Sequence, residues 1–138
     1  MMRRLFLIFL VLSLLLTGCT PAAPTSSEGF CTFTDSTGAE VCVSEKPQTV
    51  AVLFSSFAQI WQLAGGTVSV TVGESVSRGF ASEHAVLVDA GAGKTIDHEL
   101  LLAARPDLVI GSADIKAHTD ACRAASAAGI PAKRCLSP

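Results

Sequence analysis

Apolar residues in this chain fall into short blocks, and glycine, proline or small polar residues close most of them. The first block, Leu5 to Leu16, is 12 residues long and is broken only by Ser13. The next blocks read as a β-hairpin. Cys31-Thr32-Phe33-Thr34 and Glu40-Val41-Cys42-Val43 alternate or favour strand, and Asp35-Ser36-Thr37-Gly38 supplies the turn. A turn centred between Ser36 and Thr37 sets Cys31 opposite Cys42. After Pro47 the pattern changes. Thr49 to Phe54 is a continuous apolar run of strand length, as in a strand buried on both faces. Ser55-Ser56 can cap a helix through Phe57 to Ala64, which Gly65-Gly66 ends. Val68 to Val72 is a second strand, closed by Gly73. A polar loop, Glu74 to His84, leads to the short run Ala85 to Val88. Ile96 to Ala104 is a helix with Asp97 and Glu99 at its positive end. Asp107 to Ile110 is a strand ended by Gly111. Ser112 to Ala128 is an Ala-rich helix stopped by Gly129, and Ile130 to Cys135 begins one more strand. Strands alternating with helices predict an α/β fold: a mostly parallel sheet with helices on both faces, preceded by the hairpin.

The N-terminal block carries a different message. Arg3 and Arg4 precede it, and Leu16-Thr17-Gly18-Cys19 follows. A bilayer-spanning helix needs about 20 apolar residues, so this run is a secretory signal rather than an anchor. Its Gly-Cys ending resembles a bacterial lipoprotein signal. The resemblance implies cleavage before Cys19, a diacylglyceryl group on its thiol, and display outside the cytoplasm at the membrane surface. Thr20 to Gly29 is rich in Pro, Ala, Ser and Thr and reads as a tether. The predicted organisation is a signal over 1–18, a tether over 19–29 and one domain over 30–138.

Composition narrows the function. The positive mean hydropathy of +0.49 is inflated by the signal. Beyond it, 8 basic residues face 12 acidic ones, a net charge of −4. Such a domain has no basic patch for phosphates, so nucleic acid is not an expected partner. Besides Cys19, four cysteines lie in the domain: Cys31, Cys42, Cys122 and Cys135. An exported domain permits disulfides. Of three possible pairings, sequence proximity selects Cys31–Cys42 and Cys122–Cys135; the alternative is four free thiols. No C-x-x-C motif is present, and no resident metal or cofactor is expected.

In open α/β sheets, ligands bind beyond the carboxyl ends of the strands. The loops that leave such ends carry Ser55, Ser56 and Phe57; Arg78 and Phe80; and Ser112 and Asp114. They supply hydroxyls, one cation and two aromatic rings, the equipment of a small-molecule cleft. The bland reading of Arg78 is a solvated loop charge, and of Phe57 a core residue. The glycine-rich Gly91-Ala92-Gly93 turn is a fourth loop of this kind. It runs into Lys94-Thr95 and mimics a phosphate loop, but the required first glycine falls on Val88. His84, His98 and His118 lack the spacing of a helical metal pair. His98 and His118 read as solvated helix positions. No Gly-x-Ser-x-Gly elbow exists, so no catalytic role is assigned.

Four stretches carry a family resemblance: Phe33 to Gly38 with Val41, Pro47 to Val52, above all Ile96 to Gly111, IDHELLLAARPDLVIG, and then Ala127 to Pro131. They resemble the N-terminal lobe of the substrate-binding lipoproteins of ABC importers that capture iron–siderophore complexes, haem or cobalamin. The resemblance implies a two-lobed binder with its ligand between the lobes, an ABC permease as partner, and no chemistry of its own. It implies that Glu99 projects from the lobe to pair with permease arginines. Family members run to about twice this length, so a second lobe is expected beyond this sequence, the alternative being a lone lobe. The rival expectation is a zinc- or manganese-binding lipoprotein of the related metal-importer class, for which only His84 is suitably placed.

Overall fold

The computed structural model describes residues 29–89 and 95–136. The signal, Cys19, the tether up to residue 28 and the Gly91 to Lys94 turn lie outside the described residues. The hairpin comes first, with β1 at Cys31–Thr34 and β2 at Glu40–Val43. Then follow β3 (Val50–Val52), α1 (Ser55–Leu63), β4 (Val70–Thr71), α2 (Gly73–Ser77) and β5 (Val86–Leu87). The chain continues through α3 (His98–Ala103), β6 (Leu108–Ser112), α4 (Lys116–Ala127) and β7 (Ala132–Cys135). The five later strands form one parallel sheet in the order β5-β4-β3-β6-β7.

Side-chain alternation divides the core into two layers. Ala51, Leu53 and Val109 face one cluster, with Leu101 of α3 and Ala121, Cys122 and Ala125 of α4. Val50, Val52, Leu108 and Ile110 face the other, with Phe57 and Ala58 of α1 and Val41 and Val43 of the hairpin. The sheet is therefore sandwiched, with α3 and α4 on one side and α1 plus the hairpin on the other. Asp107 pins the start of the two central strands. Its carboxylate accepts from the backbone N–H of Gln48 (2.8 Å) and Thr49 (2.9 Å), which holds its pKa below the ordinary value.

The sequence pattern misplaced several details. Ser55 and Ser56 do not cap α1; Phe54 stands at its N-cap without a side-chain bond, and both serines lie in the first turn. Gly73 does not close β4 into a loop but opens α2. The expected helix from Ser112 begins only at Lys116. Ser112 still pairs with Cys135 in the sheet, and its Oγ accepts from Asp114 N–H at 3.1 Å, a local bond that competes with helix.

The hairpin is one residue out of the expected register. Its turn is closed by Asp35 N–H to Ala39 O (2.8 Å), which leaves Thr34 opposite Glu40 and Cys31 opposite Val43. Cys42 then pairs with Thr32 and points outward, while Cys31 points inward. A one-residue shift exchanges the faces of a strand, so the Cys31–Cys42 bridge is lost. Cys122 and Cys135 are also unbridged. Cys122 is buried on the inward face of α4, whereas Cys135 packs with the cluster on the opposite face of the sheet. All four thiols are free. Burial pushes the Cys122 thiol up to about 12 and that of Cys135 up as well, so both are held as thiols.

Candidate functional site

The carboxyl ends of the parallel strands lie along one edge of the sheet, where β3, β4 and β6 deliver Ser55, Gly73 and Ser112. Arg78, one residue past α2, reaches back to the start of α1. Its Nη1 donates to Ser55 Oγ at 3.1 Å and meets Glu74 Oε1 at 3.2 Å. Its guanidinium carbon lies 4.9 Å from the centroid of the Phe80 ring. Ser55 is 1% exposed, so it positions the arginine rather than meeting a ligand. The Arg78 side chain is 46% exposed. Backbone bonds build the turn beneath it: Phe80 N–H donates to Ser75 O (2.8 Å), and Gly79 takes φ +75°, which only glycine adopts without strain. A preoriented guanidinium with one face on an aromatic ring is suited to an oxyanion such as a carboxylate.

Ser112 and Asp114 belong to a second group. Ser112 is fully buried, and its N–H donates to Nδ1 of His118 at 3.3 Å. His118 lies 6.0 Å from Phe54, whose ring meets Phe57 edge-on at 5.3 Å. Asp114 is exposed at the edge. Phe57 is 7% exposed and packs in the core. Ser56 is half-buried beside it. Of the seven predicted residues, Ser56, Arg78, Phe80 and Asp114 thus retain exposed surface, while Ser55, Phe57 and Ser112 hold them from below.

Sequence reasoning missed Glu74, which shares Arg78. It also missed Asp89, whose Oδ1 accepts from Gly73 N–H at 2.9 Å and ties β5 to the start of α2. His118, expected in solvent, is fully buried. The signal was present: His118, Ala121, Cys122 and Ala125 recur at helical spacing and form the buried stripe of α4. His98 is half-buried at the start of α3, and His84 is exposed. Among the described residues, no three His, Cys, Asp or Glu side chains converge on a metal position.

Comparison with known proteins gives this edge its context. A model of the periplasmic binding protein family matches residues 50–132, more than half of the chain. The chain belongs to that family. No curated protein matches it. Among solved structures, the haem binding protein HmuT shares 21% identity over 88% of this chain with a TM-score of 0.62. Staphylococcus aureus SirA, solved with staphyloferrin B, shares 16% over 78% with a TM-score of 0.59. BauB, a siderophore binding protein solved with ferric acinetobactin, shares 18% over 75% with a TM-score of 0.54. These likenesses are likenesses of fold. The chain spans 37%, 37% and 36% of those three proteins. As a periplasmic binding protein lobe, the molecule sets a parallel sheet edge-on to the space beyond its strands. Glu99 lies well away from Arg78 in the sequence, exposed in the first turn of α3.

Proposed function

We propose that the chain is the extracytoplasmic, lipid-anchored substrate-binding component of an ABC importer, contributing one wall of the cleft that captures an iron–siderophore, haem or corrinoid complex. The observation that carries this reading is the Arg78 guanidinium, held by Ser55 and Phe80 at the carboxyl edge of the sheet. Siderophores, haem and corrinoids are bulky, and they present oxygen anions beside flat or apolar surface. A cation backed by an aromatic ring suits both features. The proteins of similar fold include a haem binder and two siderophore binders, which supports the same class of cargo. Cys19 would carry the lipid, and Glu99 would meet the permease. No bond to the cargo is made or broken.

The test is equilibrium titration of the chain with haem, a ferric siderophore and cobalamin. One of them should bind, weakly, because a single wall buries only part of such a ligand. Arg78→Gln should weaken that binding about tenfold, the worth of one charge-assisted bond. If none of the three binds, the cargo assignment fails. For the permease contact, Glu99→Arg should abolish uptake in cells without altering ligand affinity. Normal uptake would reject that role.

A further inference from the structure

Among the described residues, the sheet face opposite α3 and α4 is incompletely covered. Between α1 and the hairpin runs an apolar groove of about 460 Å³, floored by Leu108 and Ile110 and walled by Phe33, Phe57, Ile60 and Trp61. It lies on the face of the sheet and shares only Phe57 with the residues predicted at the strand ends. Phe30, Pro47 and Trp61 also line an adjoining cavity of about 360 Å³, so the trough is elongated. Rim residues Phe30 and Ile60 are 56% and 55% exposed, large apolar surface left open to water.

The chemistry of the walls limits the occupant. One charged side chain lines the main groove, Lys133 of β7. Its ammonium sits 4.8 Å from the centroid of the Phe33 ring, which fixes the cation at one wall. The indole N–H of Trp61 already donates to Thr67 O at 3.1 Å. The remaining lining offers little to satisfy the backbone polar groups of an extended peptide, which would be buried at a cost. An unbranched apolar chain makes no such demand, and a carboxylate at its end meets Lys133.

We propose that this groove is a second ligand site, separate from the strand-end cleft, that takes a free long-chain carboxylate of the fatty-acid type. The alkyl chain lies along Ile60, Trp61, Leu108 and Ile110, and the carboxylate pairs with Lys133.

Trp61 is the single tryptophan of the chain, so it reports on the groove directly. Both apolar clusters and every strand among the described residues lie within residues 31–135, so residues 20–138 retain the described core. Titrating residues 20–138 with dodecanoate below its micellar concentration should shift Trp61 emission to the blue and saturate. Lys133→Gln should weaken dodecanoate about fivefold, the upper worth of an exposed ion pair, and leave dodecanol unchanged. Lys46→Gln, in the adjoining cavity, should change neither. Ile60→Glu, at an exposed position that does not threaten the fold, should abolish the shift. The proposal is overturned if dodecanoate leaves the emission unmoved, or if Lys133→Gln weakens the alcohol equally. It is also overturned if the shift follows protein concentration without ligand, since a second copy would then fill the groove. A response confined to phosphatidylglycerol vesicles, with none to dodecanoate, would likewise overturn it, since a membrane surface and not a free acid would be the partner.

Discussion

Asp35 shows how one residue holds distant parts of the chain together. Its side chain is fully buried in the hairpin turn, yet it faces the last strand, with Oδ2 3.2 Å from Arg134 Nε. Oδ1 accepts from the Thr37 hydroxyl at 2.6 Å and from the N–H groups of Thr37 and Ala39. Burial alone would raise the carboxyl pKa. The Thr37 hydroxyl and the N–H groups of Ala39, Thr37 and Arg134 outweigh it and hold the group at about 2. A depressed folded-state pKa means that the ionised form is the one stabilised. The contribution is therefore complete above the unfolded value of 3.8 and fades as the pH falls from there through about 2. It amounts to about 2 kcal/mol. Urea unfolding at pH 6 and pH 2.5 checks this. Asp35→Asn should be less stable at pH 6, and the gap to the unsubstituted chain should narrow at pH 2.5. A gap independent of pH would refute the assignment. The turn chemistry of Asp35 was legible in the sequence, as an Asp opening a turn that ends in Gly38. Its partner was not, because Arg134 lies 99 residues away and nothing local couples them.

At the scale of elements, the sequence was most readable where burial is two-sided. The runs around Val50–Val52 and Leu108–Ser112 are apolar on both faces, and both became central strands. Helix α3 was readable from the Ile96 run, but it begins at His98, and Asp97, expected inside its first turn, caps it: its Oδ1 accepts from Leu100 N–H at 3.0 Å. Reading failed where a short polar segment is ordered by tertiary bonds. α2 carries no apolar stripe of its own; Asp89 fixes its start and Phe80 its end. The cleft residues follow the same division. The strand pattern put the loops of Ser55, Arg78 and Ser112 at one edge of the sheet, but the sequence could not show that Ser55 lies buried beneath Arg78. Gly111 illustrates packing between elements. A Cβ added there would meet Cys122 Sγ at 2.9 Å and His118 Cβ at 3.2 Å, so β6 and α4 approach as closely as they do because this residue has no side chain. Both neighbours sit in a packed layer with little room to retreat. Gly111→Ala should cost about 1–3 kcal/mol, as overpacking does. It should also disturb the Ser112–His118 bond one residue on. Chemical denaturation measures the first effect and the imidazole resonances of His118 the second; a neutral substitution would mean that α4 can shift.

Across the whole molecule, stability should grade from the middle of the sheet outward. β3 and β6 are neighbours at its centre, buried on both faces and locked by Leu53 N–H to Ile110 O at 2.9 Å. β5 is an edge strand of two residues, Val86 and Leu87, exposed by 46% and 44%. The hairpin belongs to a separate sheet, but Ser36 N–H donates to Arg134 O at 3.1 Å and Asp35 grips Arg134, so it is fastened to the outer strand β7. Native-state hydrogen exchange should resolve three levels. The amides of Leu53 and Val109 should exchange only on global unfolding. Those of Val86 and Val88 should exchange by local opening of the β5 edge. Hairpin amides should open together with β7, because the Asp35–Arg134 clamp joins them. Asp35→Asn should then speed exchange in the hairpin and β7 while leaving the difference between Leu53 and Val86 intact. Uniform protection, or a hairpin that opens independently of β7, would mean that the apolar packing of Val41 and Val43 governs this end and that the clamp only sets the register of the turn.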